Sequence, residues 1–151
     1  MATVPVFECG PSGGTGGDPF HDEIPAAGVT IANIRVFSGR NARVGSGKYL
    51  NSIELFYSDH SQTVRHGHAK GARRDIALAG LEHIVEVSGF YGLFIDQLSI
   101  RTSNGRNLGP FGGNGGTRQF RYHVPDGMAI IGFSGSSGDC VDALGIFYRP
   151  I

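Results

Sequence analysis

Short runs in which apolar and polar side chains alternate recur along this chain. Clear examples are residues 31–37, 52–57 and 84–87, and Gly, Ser, Asn or Pro residues lie between such runs. Alternation with a period of two, bounded by turn residues, is typical of short antiparallel strands rather than of amphipathic helices. The pattern therefore predicts an all-β fold.

One motif occurs three times and divides the chain into similar units. A hydrophobic-Ser-Gly tripeptide begins at Phe37, Val87 and Phe133, and each copy is followed by Gly-x-x-x-Asp or Gly-x-x-x-Asn, at 47–51, 92–96 and 138–142. A unit of roughly 45–50 residues holds one small sheet, which cannot bury its apolar face alone. Three such sheets packed around a common axis can, and the repeat therefore predicts a prism.

A glycine-rich segment is repeated as well. Residues 10–17 are echoed by 109–116, whereas the middle counterpart, 66–71, has lost most of its glycines. The chain has 25 glycines among 151 residues, against about 11 at average usage. This excess indicates tight turns, or backbone that approaches another group closely.

Length and charge narrow the classes of function. A chain of 151 residues fits one domain. Lys and Arg together number 13, as do Asp and Glu, so the basic field of a nucleic-acid-binding protein is absent. The basic run 70–74 is interpreted as a solvated loop, with a phosphate site as the alternative. The glycine loops lack the strand–helix setting and the Lys-Ser or Lys-Thr pair of a nucleotide-binding loop.

Location and cysteine chemistry stay more open. No apolar run is long enough to span a membrane, and the first residues lack the pattern of a secretory signal. We therefore expect a cytoplasmic protein, or one released by another route. Cys9 and Cys140 form either one disulfide or, as we expect, two free thiols. The pair His66 and His68 has no third ligand nearby and is interpreted as loop residues, with a metal site as the alternative.

The motifs at 13–22, 109–112 and 138–145, in this order, resemble those of the jacalin-related lectins, over about Gly10 to Tyr148. The resemblance implies an all-β, β-prism I fold with three four-stranded, Greek-key-like sheets and pseudo-threefold symmetry. It also implies that residues 1–9 form an N-terminal extension or first strand, and that 10–151 form the lectin domain.

The resemblance further implies a principal sugar site that joins the first glycine loop to the last Gly-x-x-x-Asp loop. Gly17 would offer its backbone N–H, as would Asp139 and Cys140, whose side chains vary freely in the family. Asp142 would offer its carboxylate, and Gly138 would allow the turn before it. A carboxylate accepts two hydroxyl protons at once, and backbone N–H groups then donate to the hydroxyl oxygens.

Two further sites follow from the repeat, together with flanking aromatic residues. The second site pairs Asp96 with Gly116, with the N–H groups of Leu93 and Phe94 as donors. The third site is expected to be weak or empty because Asn51 replaces the carboxylate; it comprises Gly71, Lys48, Tyr49 and Asn51. Two aromatic residues, interpreted as a platform for a pyranose or equally as loop packing, are Phe90 and Tyr91.

The implied function is binding of mannose- and glucose-type glycans and glycoproteins, without metal, cofactor or catalysis. Sixteen residues precede Gly17, whereas family members that prefer galactose tend to begin a cleaved chain at this loop. A galactose preference is the first alternative, and an interaction module with inactive sugar sites is the second. A glycosidase needs two carboxylates across one cleft, whereas here the carboxylates lie on separate repeats. A homodimer or a higher homo-oligomer stays open.

Overall fold

The computed structural model describes residues 4–151, in which twelve strands and no helix are found. Sheet 1 contains β1 (Phe7–Gly13), β2 (Asp18–His21), β11 (Met128–Ser137) and β12 (Val141–Pro150). Sheet 2 contains β3 (Ile31–Arg40), β4 (Lys48–Tyr57), β5 (His66–Gly67) and β6 (Ala72–Ala77). Sheet 3 contains β7 (Ile84–Tyr91), β8 (Ile95–Thr102), β9 (Asn107–Gly112) and β10 (Arg118–His123).

The three sheets have the same antiparallel strand order. It is β1-β12-β11-β2 in sheet 1, β5-β4-β3-β6 in sheet 2 and β9-β8-β7-β10 in sheet 3. In sheets 2 and 3 the first two strands form the central hairpin and the fourth strand crosses back to pair with the first, which is a Greek key. Sheet 1 has the same arrangement, with β11 and β12 as its central hairpin and β1 and β2 at its edges. Sheets 1 and 3 meet at the single pair Ile130 and Ile84. The predicted three four-stranded sheets with pseudo-threefold symmetry are thus confirmed.

The alternating runs form strands, as predicted, but their phase is not uniform. Residues 31–37 lie in β3, where a bulge between Ile31 and Asn33 shifts the register against β4. Glu54 in β4 belongs to the polar half of its run, yet it is buried. The guanidinium groups of Arg35 and Arg65, 3.7 and 3.3 Å from its Oε1, cover it on the outer face of the sheet.

The core lies between the three sheets, which each contribute fully buried apolar side chains. Ile34 and Leu55 come from sheet 2, Leu98 from sheet 3, and Phe133 and Leu144 from sheet 1. Full burial stabilises such a side chain by roughly 1.5–3 kcal/mol relative to exposure. Because this burial requires all three faces, the sheets depend on one another, as the size of a single repeat predicted.

Sheet 1 is built from both ends of the chain, since β1 pairs with β12 and places Cys9 opposite Ile146. The strand β1 begins at Phe7 and crosses the boundary expected between residues 9 and 10, and residues 1–3 of that segment lie outside the described part. Both cysteines are free thiols. Within residues 4–151, no helix is long and apolar enough to cross a membrane.

Candidate functional site

The first glycine loop and the last acid loop meet at one end of sheet 1. The glycine loop, residues 14–17, connects β1 to β2, and the acid loop, residues 138–140, connects β11 to β12. Because β1 pairs with β12 and β2 pairs with β11, both loops emerge at the same end. The Gly14 N–H donates to the Asp142 carbonyl at 2.9 Å and links them directly.

Glycine is required here by the space above the Asp142 carboxylate. A Cβ on Gly17 would lie 2.7 Å from Oδ1 of Asp142, and one on Gly16 would lie 3.0 Å from Oδ2. Gly17 also has a φ of +77°, which a residue with a side chain rarely adopts. Glycine at these two positions therefore lets the loop backbone lie against the carboxylate, where a side chain would not fit.

The acid loop, residues 138–140, is a tight turn that buries one of its side chains and exposes another. The Gly138 N–H donates to the Cys140 carbonyl at 2.9 Å and closes a tight turn. The side chain of Cys140 is buried, and burial, with the nearby Asp142 charge, raises the pKa of its thiol to about 12. The Asp139 carboxylate is half-exposed and lies 3.5 Å from the Arg43 guanidinium.

The Asp142 carboxylate is nearly buried yet accepts no hydrogen bond from residues 4–151. Its residue is 5% exposed. Burial, followed by the negative charge of Asp139, raises the pKa of its carboxyl above the usual value, and no hydrogen bond lowers it. Two carboxylate oxygens with unused lone pairs are thus available at this point to a ligand with hydroxyl donors.

Around this carboxylate lies a depression of about 270 Å³. Its lining residues are Gly17, Arg43, Val44, Phe94, Gly138, Asp139, Cys140 and Asp142. The principal site predicted from the sequence is therefore brought together in full. Three of the lining residues come from the other repeats, Arg43, Val44 and Phe94. Sequence reasoning missed the first two and assigned Phe94 to the second site, because contacts between different repeats leave no periodic signal.

The second predicted site reproduces this geometry in sheet 3. A Cβ on Gly115 would lie 2.9 Å from Oδ1 of Asp96, and one on Gly116 would lie 3.0 Å from Oδ2. The Gly113 N–H donates to the Asp96 carbonyl at 2.8 Å, and the Gly92 N–H donates to the Phe94 carbonyl at 3.1 Å. Burial raises the pKa of the Asp96 carboxyl, and a hydrogen bond from the Gly92 N–H lowers this pKa by a smaller amount.

The predicted flanking aromatics have different surroundings. Tyr91 is half-buried, and its ring packs against Phe120 with centroids 6.2 Å apart. Phe90 is 36% exposed, and its peptide with Tyr91 lies against Gly116, in the second site. Neither residue lines the depression around Asp142, where the aromatic side chain is Phe94.

The third predicted site is assembled but its polar groups are already bound. The amide nitrogen of Asn51 donates to the carbonyls of Gly39 at 3.2 Å and Lys70 at 2.9 Å. Its amide oxygen accepts from Nδ2 of Asn41 at 3.1 Å. A Cβ on Gly71 would lie 3.3 Å from this amide nitrogen, so the predicted pair is in contact. Asn51 is fully buried and has no free donor for a ligand.

The turn in the third site also differs from the other two. The Gly47 N–H donates to the Tyr49 hydroxyl at 3.2 Å, instead of to a backbone carbonyl two residues on. The Tyr49 ring meets Phe94 edge-on, with centroids 5.8 Å apart, and Lys48 is exposed. The backbone donors expected at Lys48 and Tyr49 therefore lie in a loop of different shape.

A larger depression of about 490 Å³ lies elsewhere, around Asp22 and His66. The Asp22 carboxylate accepts from the Phe133 N–H at 2.8 Å and is hydrogen-bonded to the His66 ring, on which Phe20 stacks. These contacts fasten the strand after the glycine loop to sheet 2. His66 is therefore engaged with Asp22, whereas His68 is exposed.

Fold and site together define a β-prism lectin with an internal threefold repeat. The sequence-family model of the jacalin-like lectin domain matches residues 9–147, so the chain belongs to this family. The structure is similar to that of the artocarpin–mannotriose complex, with a TM-score of 0.79 and 25% sequence identity. The superposition covers 98% of this chain and 99% of the artocarpin chain.

Two curated relatives place the same domain in longer proteins. A putative zinc metalloproteinase of Schizosaccharomyces pombe is 33% identical over 81% of this chain, and a mannose/glucose-specific lectin of Parkia platycephala is 30% identical over 93%. The chain spans 20% of the first protein's length and 31% of the second's.

Proposed function

We propose that this lectin binds mannose- and glucose-type hexoses on glycans, without metal, through the principal and second sites. The observation that carries the proposal is a pair of nearly buried carboxylates, Asp142 and Asp96. Each lies against two glycines of a neighbouring loop. The names of the Parkia lectin and of the artocarpin complex support a hexose of this type.

The chemistry of a hexose matches what each site offers. Two neighbouring hydroxyls donate to the two oxygens of one carboxylate, and such charge-assisted hydrogen bonds are the stronger kind. The hydroxyl oxygens then accept from backbone N–H groups, for which we assign Gly17, Asp139 and Cys140 in the principal site. In the second site the corresponding donors are Gly116, Leu93 and Phe94. All these groups belong to the protein, so binding needs no metal ion.

The site geometry favours binding over catalysis. A glycosidase works with two carboxylates on either side of the scissile bond. Among residues 4–151, the only other carboxylate that lines the principal depression is that of Asp139, which lies 3.5 Å from the Arg43 guanidinium. We therefore propose no catalytic residue.

A glycan array followed by calorimetric titration tests the proposal. We expect binding to mannose- and glucose-terminated glycans, and titration of methyl α-mannoside that is unchanged in excess chelator. Galactose-terminated glycans bound in preference would reverse the specificity, and loss of binding in chelator would show a metal-dependent site. No bound glycan at all would favour the interaction module, and release of p-nitrophenol from p-nitrophenyl mannoside would indicate an enzyme.

A further inference from the structure

Asn41 links the third site to the principal one. It lies in the loop between β3 and β4 and is 1% exposed. Its amide nitrogen donates both protons, one to Oδ1 of Asn51 at 3.1 Å and one to the backbone carbonyl of Asp139 at 2.8 Å. Its amide oxygen accepts from the Arg43 N–H at 3.2 Å. Both polar atoms of the side chain are thus hydrogen-bonded, and Asp139, one of its partners, lies 98 positions along the chain from Asn41.

The carbonyl that Asn41 binds belongs to the same peptide unit as the Cys140 N–H. A trans peptide is planar, so its C=O and N–H point in opposite directions. A donor that fixes the Asp139 carbonyl therefore also fixes the direction of the Cys140 N–H. Accepting a hydrogen bond at the oxygen also polarises the peptide and makes its N–H a better donor.

The equivalent loops of the other two sheets precede Asp96 and Asn51. Within residues 4–151, no side chain donates a hydrogen bond to the carbonyl in these loops that corresponds to that of Asp139. In sheet 3, the Leu93 carbonyl lies against the backbone of Gly14, where a Cβ would approach it to 1.9 Å. In sheet 2, the Lys48 carbonyl lies in the same way against Gly113, where a Cβ would approach it to 3.0 Å.

Sheet 2 has a histidine where the other two sheets have this glycine. The Gly14, Gly113 and His68 N–H groups donate to the carbonyls of Asp142, Asp96 and Asn51, which makes the three positions equivalent. In sheet 1 the carbonyl equivalent to those of Leu93 and Lys48 is that of Asp139, and it accepts from Nδ2 of Asn41 at 2.8 Å.

We propose that Asn41 is a positioning residue for sugar binding at the principal site. Asn41 orients the peptide between Asp139 and Cys140 so that its N–H faces the hexose, and Asn51 holds Asn41 in place. The sheet that has lost its own sugar carboxylate thereby supports the site of its neighbour. This inference rests on the proposed sugar binding and assigns a role within it.

The test uses the second site as an internal control. Asp96→Asn leaves only the principal site, and Asp142→Asn leaves only the second. Into each background Asn41→Asp is introduced, which keeps the shape but replaces the N–H₂ donor with an acceptor. With methyl α-mannoside as the probe, we expect the principal-site affinity to fall about tenfold, the effect of one lost hydrogen bond. The second-site affinity should stay within twofold.

Three outcomes would overturn the inference. They are an unchanged affinity at the principal site, an equal loss of affinity at both sites, and a loss confined to the second site. Asn41→Ser, too short to reach Asp139, provides a second variant if the carboxylate prevents folding. We expect it to reproduce the selective loss, and binding at the second site reports that the variant is folded.

Amide spectra separate this inference from the proposed function. We expect Asn41→Asp to shift the Cys140 amide nitrogen resonance and to leave that of Phe94, the equivalent residue in sheet 3, in place. If the parent protein binds no sugar at either site, the proposed function fails, and the spectra still test whether Asn41 orients this peptide. An unshifted Cys140 resonance would reject that orientation whatever the sugar result.

Discussion

The loops that end in Asp142 and in Asn51 occupy equivalent places in sheets 1 and 2, yet their side chains do opposite things. The Asp142 carboxylate is nearly buried and has no hydrogen-bond donor in the described part of the chain. The Asn51 amide is fully buried and bound on every side. The comparison teaches that a ligand site in this fold depends on polar groups left unsatisfied, and that satisfying them turns the same loop into a structural joint.

Removing the Asp142 carboxylate is expected to have the largest effect on sugar binding. In the Asp96→Asn background, we expect Asp142→Asn to weaken methyl α-mannoside binding by about 2–4 kcal/mol, because a charged, two-oxygen contact is lost. Calorimetric titration measures it, and Asp126→Asn, at an exposed position, is the matched control. Retained affinity would mean that the sugar does not contact this loop.

A methyl group in the glycine loop is expected to have the next largest effect. Gly17→Ala places a Cβ 2.7 Å from the carboxylate oxygen, so we expect binding at the principal site to fall at least tenfold. Gly28→Ala is the control, because Gly28 has a similar φ of +83° but open space around its Cβ. Gly28→Ala should lose about 1–2 kcal/mol of stability in denaturant unfolding because of its positive φ. Gly17→Ala should lose more, because its Cβ would also lie 2.9 Å from the Ser137 backbone. Equal sugar affinity in the two variants would contradict the proposed site.

Acidification should weaken both sites, because the sugar needs the ionised carboxylates. Burial raises the pKa values of Asp142 and Asp96 above that of an ordinary Asp, about 3.9. We therefore expect affinity to fall as the pH drops through these raised values, before an exposed Asp is protonated. Titrations between pH 7 and pH 4 measure this, and affinity constant down to pH 4 would contradict it.

Stability without sugar should respond in the opposite direction. A carboxyl whose pKa is raised by folding favours the folded state when protonated, and this contribution is lost as the pH rises from the unfolded value through the folded one. Asp142→Asn should thus have a higher Tm than the parent at pH 7, with the difference shrinking towards pH 4. A lower Tm at pH 7 would mean that the carboxylate has a partner in the folded protein.

Restoring the missing charge is expected to change sugar binding least. Asn51→Asp would place a carboxylate against the carbonyls of Gly39 and Lys70 and remove two hydrogen bonds. We expect a loss of stability of about 1–3 kcal/mol in denaturant unfolding and no third sugar in a crystal soaked with methyl α-mannoside. Sugar beside residue 51 would show that the charge alone separates the two loops.

Much of the fold was predictable because the repeat is periodic. The tripeptides at 37, 87 and 133 mark the first strand of each central hairpin, which is β3, β7 or β11, and the motifs after them locate the acid loops. The contacts of Gly17 with Asp142 and of Gly116 with Asp96 followed from the family resemblance and are present.

Contacts between repeats were not predictable in the same way. Phe94 was expected to serve the second site through its backbone, yet its side chain lines the principal depression. Arg43 and Asn41 lie outside the repeated motif, and their roles arise only when loops from different sheets are brought together. The sequence alone also gave no sign that the Asn51 amide is bound on every side.

Because sheet 1 joins β1 to β12, the two sugar sites are expected to form in a definite order. The second site lies within residues 92–116, so its loops come from one continuous segment. The principal site needs Gly17 and Asp142, which lie near opposite ends of the chain, and long-range pairing of this kind is slow to form. On a ribosome, Gly17 would meet Asp142 only after almost all of this domain has been synthesised. Sugar binding at the principal site would then report that synthesis of the domain is complete.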